Sequence, residues 1–417
     1  MNSLIDIHRI VDTVCMRRDA LADLARDTDA PTPSPLSEST IDEDSSNIIK
    51  PSMAENHDQL SESTIDEDLN EIVEPSILCT DIVKLLANHG CTDLTASLDD
   101  STCSRYPIAN GGLGDVFSGR LRDGSLVAIK TIRTDYDHRH SARAYVKQAA
   151  KEIHTWSKCK HHNVVALIGL AVFRDCLAMI SYWEENGSLL KYVLNNPSVD
   201  RCRLCISICA GLAYLHDNNI IHGDLKGANV LIARDGTAML MDFGNATLLN
   251  ATLQFTQTST TPRMTPRWTA PEILEGKTAH TKAGDVYSLG MTILETFTSE
   301  VPFADKSDIS LIYHVVIGRN KPKRPENVFP PTSLDGDNLW STLTKCWTYD
   351  PKLRPVVKGV WDKMKLITPN TLKLIRSEVN SEVNSEAKDN ANYNAKGEAK
   401  GENEGKLMGG KNQWGPS

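Results

Sequence analysis

Short apolar runs of strand length come first along the middle of this chain and longer helical patterns follow, and that order limits the fold more than any other feature. Leu126–Ile129 and Leu177–Ile180 read as buried strands, whereas Ile206–His216 and Val286–Thr296 carry helical periodicity. Strands gathered early and helices gathered late predict an α+β domain in which a small sheet-rich lobe leads into a larger helical one. A chain of 417 residues has room for one such unit with flanking segments.

The flanks differ sharply in composition. Residues 1–30 place Leu4, Ile7, Val11, Val14, Leu21 and Leu24 at helical spacing with an Asp-rich polar face. They predict one amphipathic helix, which either packs on the body or frays, or else meets a partner. Residues 31–76 turn to Pro, Ser and acid, and the nine residues Leu36–Asp44 recur identically as Leu60–Asp68. Two copies are too few for a solenoid, so a disordered linker is expected. Residues 77–103, with Ile77, Ile82, Val83, Leu85 and Leu86, form a helical lead-in to a domain at 104–367, split into lobes at 104–182 and 183–367. The Gly, Asn, Lys and Glu-rich tail at 368–417 is expected to be disordered.

Charge follows the same division. Residues 31–102 hold 16 acidic side chains against Lys50 and Lys84, so of a net −9 this stretch carries −14 and residues 103–376 stand near +9. A modestly basic body suits phosphate or acidic peptide, but it lacks the basic stripe with interleaved aromatics of a nucleic-acid binder. The ten cysteines form no even framework, and no run reaches the roughly 20 apolar residues of a spanning helix. A cytoplasmic protein without a transmembrane segment is expected, and the sequence sets no oligomeric state.

The chemistry begins at Ile108–Val116, where Ala109, Gly111, Gly112 and Gly114 make a turn dense in small residues. Glycines let backbone amides approach phosphate oxygens, although a plain hairpin turn would explain the cluster equally well. Sixteen residues past Gly114, Lys130 ends Val-Ala-Ile-Lys. A cation on an apolar strand needs a partner, and Glu152 on the amphipathic segment 144–156 is the candidate. Two further polar runs follow: His222-Gly-Asp-Leu-Lys-Gly-Ala-Asn229, and Asp242-Phe-Gly244 thirteen residues beyond Asn229.

Together with Ala270-Pro-Glu272, Asp285 and Arg354, these runs resemble the ordered signature set of eukaryotic protein kinases, and Trp268 with Cys346-Trp347 is most similar to their tyrosine-kinase-like group of Ser/Thr kinases. The resemblance implies a bilobal protein kinase fold, with an antiparallel sheet plus one helix in the small lobe and helices in the large one. It implies ATP-dependent phosphoryl transfer to Ser/Thr of protein substrates in intracellular signalling, with Mg2+. Lys130, oriented by Glu152, would hold the α- and β-phosphates; Asp242 and Asn229 would bind magnesium. Asp224 would accept the hydroxyl proton, Lys226 would steady the transferring phosphate, and Thr265 would join the two. Ile108, Val116, Ala128 and Leu231 would border the nucleotide, Ser181 would back the adenine pocket, and Tyr182 and Trp183 would form the hinge. The bland reading of the apolar members is core packing, and in this fold both hold together. Glu272 and Arg354 would pair.

Two positions depart from the family. Ala109 stands where the first glycine of the phosphate loop is usual, at about 1 kcal/mol if that position needs positive φ. Gly223 replaces the arginine that usually receives the activation-loop phosphate, which implies weak dependence on loop phosphorylation at Thr256, Thr258, Ser259, Thr260 or Thr261. Cys202, Cys205 and Cys209 are expected to pack in a helix rather than bind metal, and His161 and His162 to shape a turn. The alternative to an active kinase is a pseudokinase that serves as an ATP-binding scaffold.

Overall fold

Alternation along β4 (Leu126–Thr131) sets the geometry of the smaller lobe, because Val127 and Ile129 point to one side of the sheet and Ala128 and Lys130 to the other. The computed structural model describes residues 79–88, 90–110, 114–132, 152–248 and 265–373. The amphipathic helix expected at 1–30, the acidic repeat, Gly111, Gly112, Thr256–Thr261 and residues 374–417 lie outside the described residues, while Pro369–Lys373, at the start of the tail expected to be disordered from 368, are helical.

The sheet also contains β1 (Leu98–Asp99), β2 (Ala109–Asn110), β3 (Asp115–Leu121), β5 (Leu167–Phe173) and β6 (Cys176–Tyr182), in the order β1-β3-β4-β6-β5 with β2 also paired to β3. All pairings are antiparallel. Phe117, Val127, Ile129, Ala178 and Ile180 close one face into a small core with Leu98, Leu121 and Phe173. Met179 and its neighbours Leu170 and Leu177 belong to the main core on the other side. Arg174 and Asp175 both take positive φ in the two-residue β5–β6 turn, the backbone that matches the twist of a hairpin. Helix α1 (Cys79–Asn88) packs against β5 and β6, and residues 152–157 form a helical segment beside it.

The larger lobe is mostly helical. Its first elements are α2 (Leu189–Asn195), α3 (Arg201–Asp217), and the short strands β7 (Ile220–Ile221), β8 (Val230–Ile232), β9 (Ala238–Leu240) and β10 (Thr247–Leu248). Then come α4 (Pro271–Leu274), α5 (Lys282–Thr298), α6 (Asp308–Ile312), α7 (Leu334–Cys346), α8 (Val357–Lys365) and α9 (Pro369–Lys373). Side chains cap the long helices: Asp200 accepts from the Arg203 N–H and Thr281 from the Gly284 N–H. Thirteen of the 17 residues of α5 are buried, as expected of a helix running through a core. Its C-terminal carbonyls are held by Arg201, which donates to Thr296 O and Phe297 O at 2.7 and 2.8 Å.

Cys202, Cys205 and Cys209 lie buried on α3, where burial pushes their thiols up and disfavours the thiolate. His161 makes a turn: its Nδ1 accepts from the Asn163 N–H at 3.1 Å and its ring stacks on Tyr214. Glu272 and Arg354 meet in a buried fork at 2.6 and 2.7 Å, with further guanidinium bonds to the carbonyls of Ala283 and Thr348. Breaking a buried pair costs more than the pair contributes, because one charge is left alone. Arg354→Met should therefore cost about 3–5 kcal/mol in urea unfolding, and adding Glu272→Leu should recover much of that loss.

Candidate active site

Lys130 reaches from β4 into the cleft between the lobes, where its Nζ lies 2.8 Å from Glu152 Oε1 and 2.7 Å from Asp242 Oδ1. The strand register puts it there: Lys130 pairs with Val116 on β3 and Met179 on β6, while Ala128 pairs with Ser181 two residues away on the same face. Val116, Ala128, Lys130 and Ser181 therefore share one surface. Burial opposes the Lys130 charge, but the two carboxylates outweigh it and hold its pKa well above the ordinary lysine range. Burial likewise pushes Glu152 up against the pull of Lys130, whereas at Asp242 the cation prevails over burial and the pKa falls. Asp242 takes φ +67, a left-handed conformation that aims its carboxylate at the lysine and is unusual for a side-chain-bearing residue.

A second cluster gathers around Asp224. Lys226 Nζ donates to Asp224 Oδ2 at 2.6 Å and the Thr265 hydroxyl donates to Oδ1 at 2.7 Å, so both carboxylate oxygens are oriented. The Asn229 amide donates to the Asp224 carbonyl at 2.8 Å and to its carboxylate at 3.0 Å, which turns its nitrogen toward Asp224 and leaves its oxygen as the acceptor. Met241 N–H bonds to Asn229 O at 3.0 Å and so ties this loop to the strand end that presents Asp242. Asp242 and Asn229 offer hard oxygen donors of the kind magnesium takes.

The loop backbone is fixed from beneath by α5. Asp285, fully buried, accepts from the N–H groups of His222 and Gly223 at 2.8 and 2.9 Å and bonds His216 Nε2 at 2.9 Å. Burial opposes its charge, but these donors keep its carboxyl below the usual range. Gly223 has φ +78, and a Cβ there would stand 2.6 Å from Asn245 O, so this position favours glycine twice over. Ten residues further along α5, Glu295 accepts from the Gly227 N–H at 2.8 Å and from Trp268 Nε1 at 2.9 Å. Sequence reasoning missed Glu295, although an acid between Leu294 and Phe297 in an apolar helix was a readable sign of a buried partner.

The remaining expected site residues sit at β2, at the end of β6 and on β8. Leu231 on β8 bridges to Ser188, Trp183 N–H bonds Leu126 O, and Tyr182 is about half exposed. Ile108 and Ala109 lie exposed on the β2 edge, with Ile108 N–H bonded to Val116 O. Ala109 pairs with Val116 in an ordinary strand and has no positive φ, so the strain considered for this substitution does not arise. At Gly114 a Cβ would overlap Thr131 O, and only glycine lets β3 begin there.

Residues 105–364 match the family described as "Protein kinase domain". The chain is 30% identical over 268 residues to the serine/threonine-protein kinase STY46 of Arabidopsis thaliana, covering 63% of this chain and 43% of that protein. It is 30% identical over 255 residues to the Arabidopsis mitogen-activated protein kinase kinase kinase 3, covering 60% and 39%. To the human mitogen-activated protein kinase kinase kinase 19 it is 27% identical over 256 residues, covering 60% and 19%. The chain thus spans less than half the length of these curated relatives.

Burial pushes the Glu295 carboxyl up to about 7, against the pull of the Gly227 N–H, the Trp268 indole and Lys226. The unfolded chain therefore releases this proton first, between its ordinary 4.5 and about 7, and Glu295 lowers stability as pH rises through that window. Thermal unfolding from pH 4.5 to 7.5 should show Glu295→Gln losing part of the wild-type slope, by at most roughly 3 kcal/mol. Identical pH profiles would contradict this.

Proposed function

The chain belongs to the protein kinase family, and on that footing we propose that it is a serine/threonine kinase that binds Mg·ATP and transfers the γ-phosphoryl group to hydroxyls of protein substrates. The observation that carries the proposal is Asp224, whose two oxygens are held by Lys226 and Thr265 at 2.6 and 2.7 Å. Phosphoryl transfer asks a protein for alignment and charge neutralisation more than for covalent chemistry. In the proposed reaction the acceptor hydroxyl oxygen bonds to the γ-phosphorus, the bond from that phosphorus to the β–γ bridging oxygen breaks, and ADP leaves. Asp224 takes the hydroxyl proton. Lys226, next to that carboxylate, meets the charge on the phosphoryl oxygens, and its presence fits a Ser/Thr acceptor.

Lys130 would serve the α- and β-phosphates, kept charged by Glu152. Asp242 and the Asn229 amide oxygen would hold magnesium, which when bound neutralises the β- and γ-phosphates. Val116, Ala128 and Leu231 would enclose the adenine, with Ser181 behind it and Tyr182 and Trp183 as hinge. Gly111, Gly112 and Gly114 would lend amides to the phosphates. A role in a kinase cascade accords with the name of the relative mitogen-activated protein kinase kinase kinase 3. No described helix is long and apolar enough to cross a membrane.

Radiolabelled transfer to a generic basic protein tests the proposal: Asp224→Asn should lower kcat by about 10²–10⁴ while nucleotide affinity changes by less than about threefold. Equal labelling by wild type and variant would refute it. Because position 223 offers no cation, phosphatase treatment of the full chain should leave kcat within about tenfold, roughly 1.4 kcal/mol. A much larger loss would mean that another basic group reads a loop phosphate.

A further inference from the structure

Residues 79–104 precede the matched kinase domain, yet they are built into its small lobe. Helix α1 buries Ile82, Val83, Leu85 and Leu86 in the same cluster as Ile153 and Trp156, the apolar residues of the helical segment that carries Glu152. Val83 and Leu86 are each 1% exposed, which is core-like for a segment outside the family domain. After α1 the chain runs along the free edge of β5: Leu170 N–H bonds Thr92 O at 2.8 Å and Leu94 N–H bonds Leu170 O at 2.7 Å. Gly169 permits this approach, since a Cβ there would stand 2.6 Å from Thr92 O. The strap is fastened again at Ser97 O by the Arg122 N–H, at Thr102 Oγ1 by the Arg120 N–H, and at Ser104 O by Arg174.

What lies beneath it is the part of the lobe with most to position. Trp156 stacks on Phe243, the neighbour of Asp242, with ring centroids 6.0 Å apart, and its Nε1 donates to Val165 O. The helical residues 152–157 therefore hold Glu152 to Lys130 on one side and abut Phe243 on another. Cys91, three residues past α1, meets the Ser157 side chain at the end of that segment, and the apolar residues of α1 share its core. We propose that residues 79–104 form a positioning cap in which Val83 and Leu86 act through Ile153 and Trp156 to keep Glu152 against Lys130. The chain thereby supplies from its own lead-in a restraint for which Gly223 provides no phosphate-reading arginine. The catalytic half of this inference rests on the kinase reading; the packing half does not.

The test uses the full chain as wild type, as Val83→Ala with Leu86→Ala, and as Gly169→Ala, which pries Thr92 off β5 without touching α1 or the site. Amide hydrogen exchange should rise about tenfold or more across residues 152–157 in both variants, and stay within about twofold across α5. In phosphate transfer, Val83→Ala with Leu86→Ala should lower kcat about tenfold in the wild-type background but less than about twofold beside Glu152→Gln, because the effect passes through Glu152. If the double variant does not fold, Gly169→Ala carries both readouts. Unchanged exchange at 152–157, or an equal kcat loss in both backgrounds, would overturn the cap, the latter reducing α1 to a general stabiliser. A wild-type chain that transfers no phosphate would sink the kinase reading instead, and the exchange measurement would still decide whether the cap holds the helix.

Discussion

A lysine ammonium held in the cleft between two carboxylates is the interaction on which the rest of this structure depends. Lys130 meets Glu152 from 22 residues away and Asp242 from 112 residues away, so one cation gathers the sheet, the helical segment beside it and the larger lobe. Such a group is costly in a protein interior unless it is paired on more than one side. The sheet register, the packing of Ile153 and Trp156, and the left-handed backbone at Asp242 can each be understood as a means of bringing the three together.

The second half of the site is governed by backbone amides rather than by side-chain pairs. Asp285 and Glu295, both buried on α5, accept from the N–H groups of His222, Gly223 and Gly227 and so dictate the path of the loop between them. Asp224 and Lys226 ride on that path. Because α5 is buried along most of its length, its two carboxylates are fixed anchors, and a loop that looks irregular acquires a defined shape. Glu295 also reaches Trp268, which couples this loop to the segment leading into Ala270-Pro-Glu272.

Much of this was legible in the residues. The early strands and late helices, the pairing of Glu272 with Arg354, and the burial of the α3 cysteines follow from periodicity, motif and apolar spacing. An unpaired cation on an apolar strand demands an acid, but it took the later kinase-like motifs to single out Glu152 from a plain surface carboxylate. Long-range backbone contacts were not readable. The bond from Glu295 to Gly227 spans 68 residues and involves an N–H that every residue but proline carries, so the acid in an apolar helix signals a buried partner but nothing in the residues says which one. The strap along β5 was hidden for the same reason, since Thr92 and Leu94 bond through main chain while only α1 announces itself by pattern. Ala109 was read as a possible strain because the family pattern has glycine there, and the structure gives it a plain strand conformation.

If the paired ammonium is the centre of the account, nucleotide uptake should depend on it and on a divalent ion together. Calorimetric titration of ATP into the full chain, with and without magnesium, on wild type and Lys130→Met, measures that directly. The account predicts magnesium-dependent binding in the wild type and at least about tenfold weaker binding in the variant, a difference of roughly 1.4 kcal/mol. Equal affinities for the two proteins, or uptake indifferent to magnesium, would contradict it.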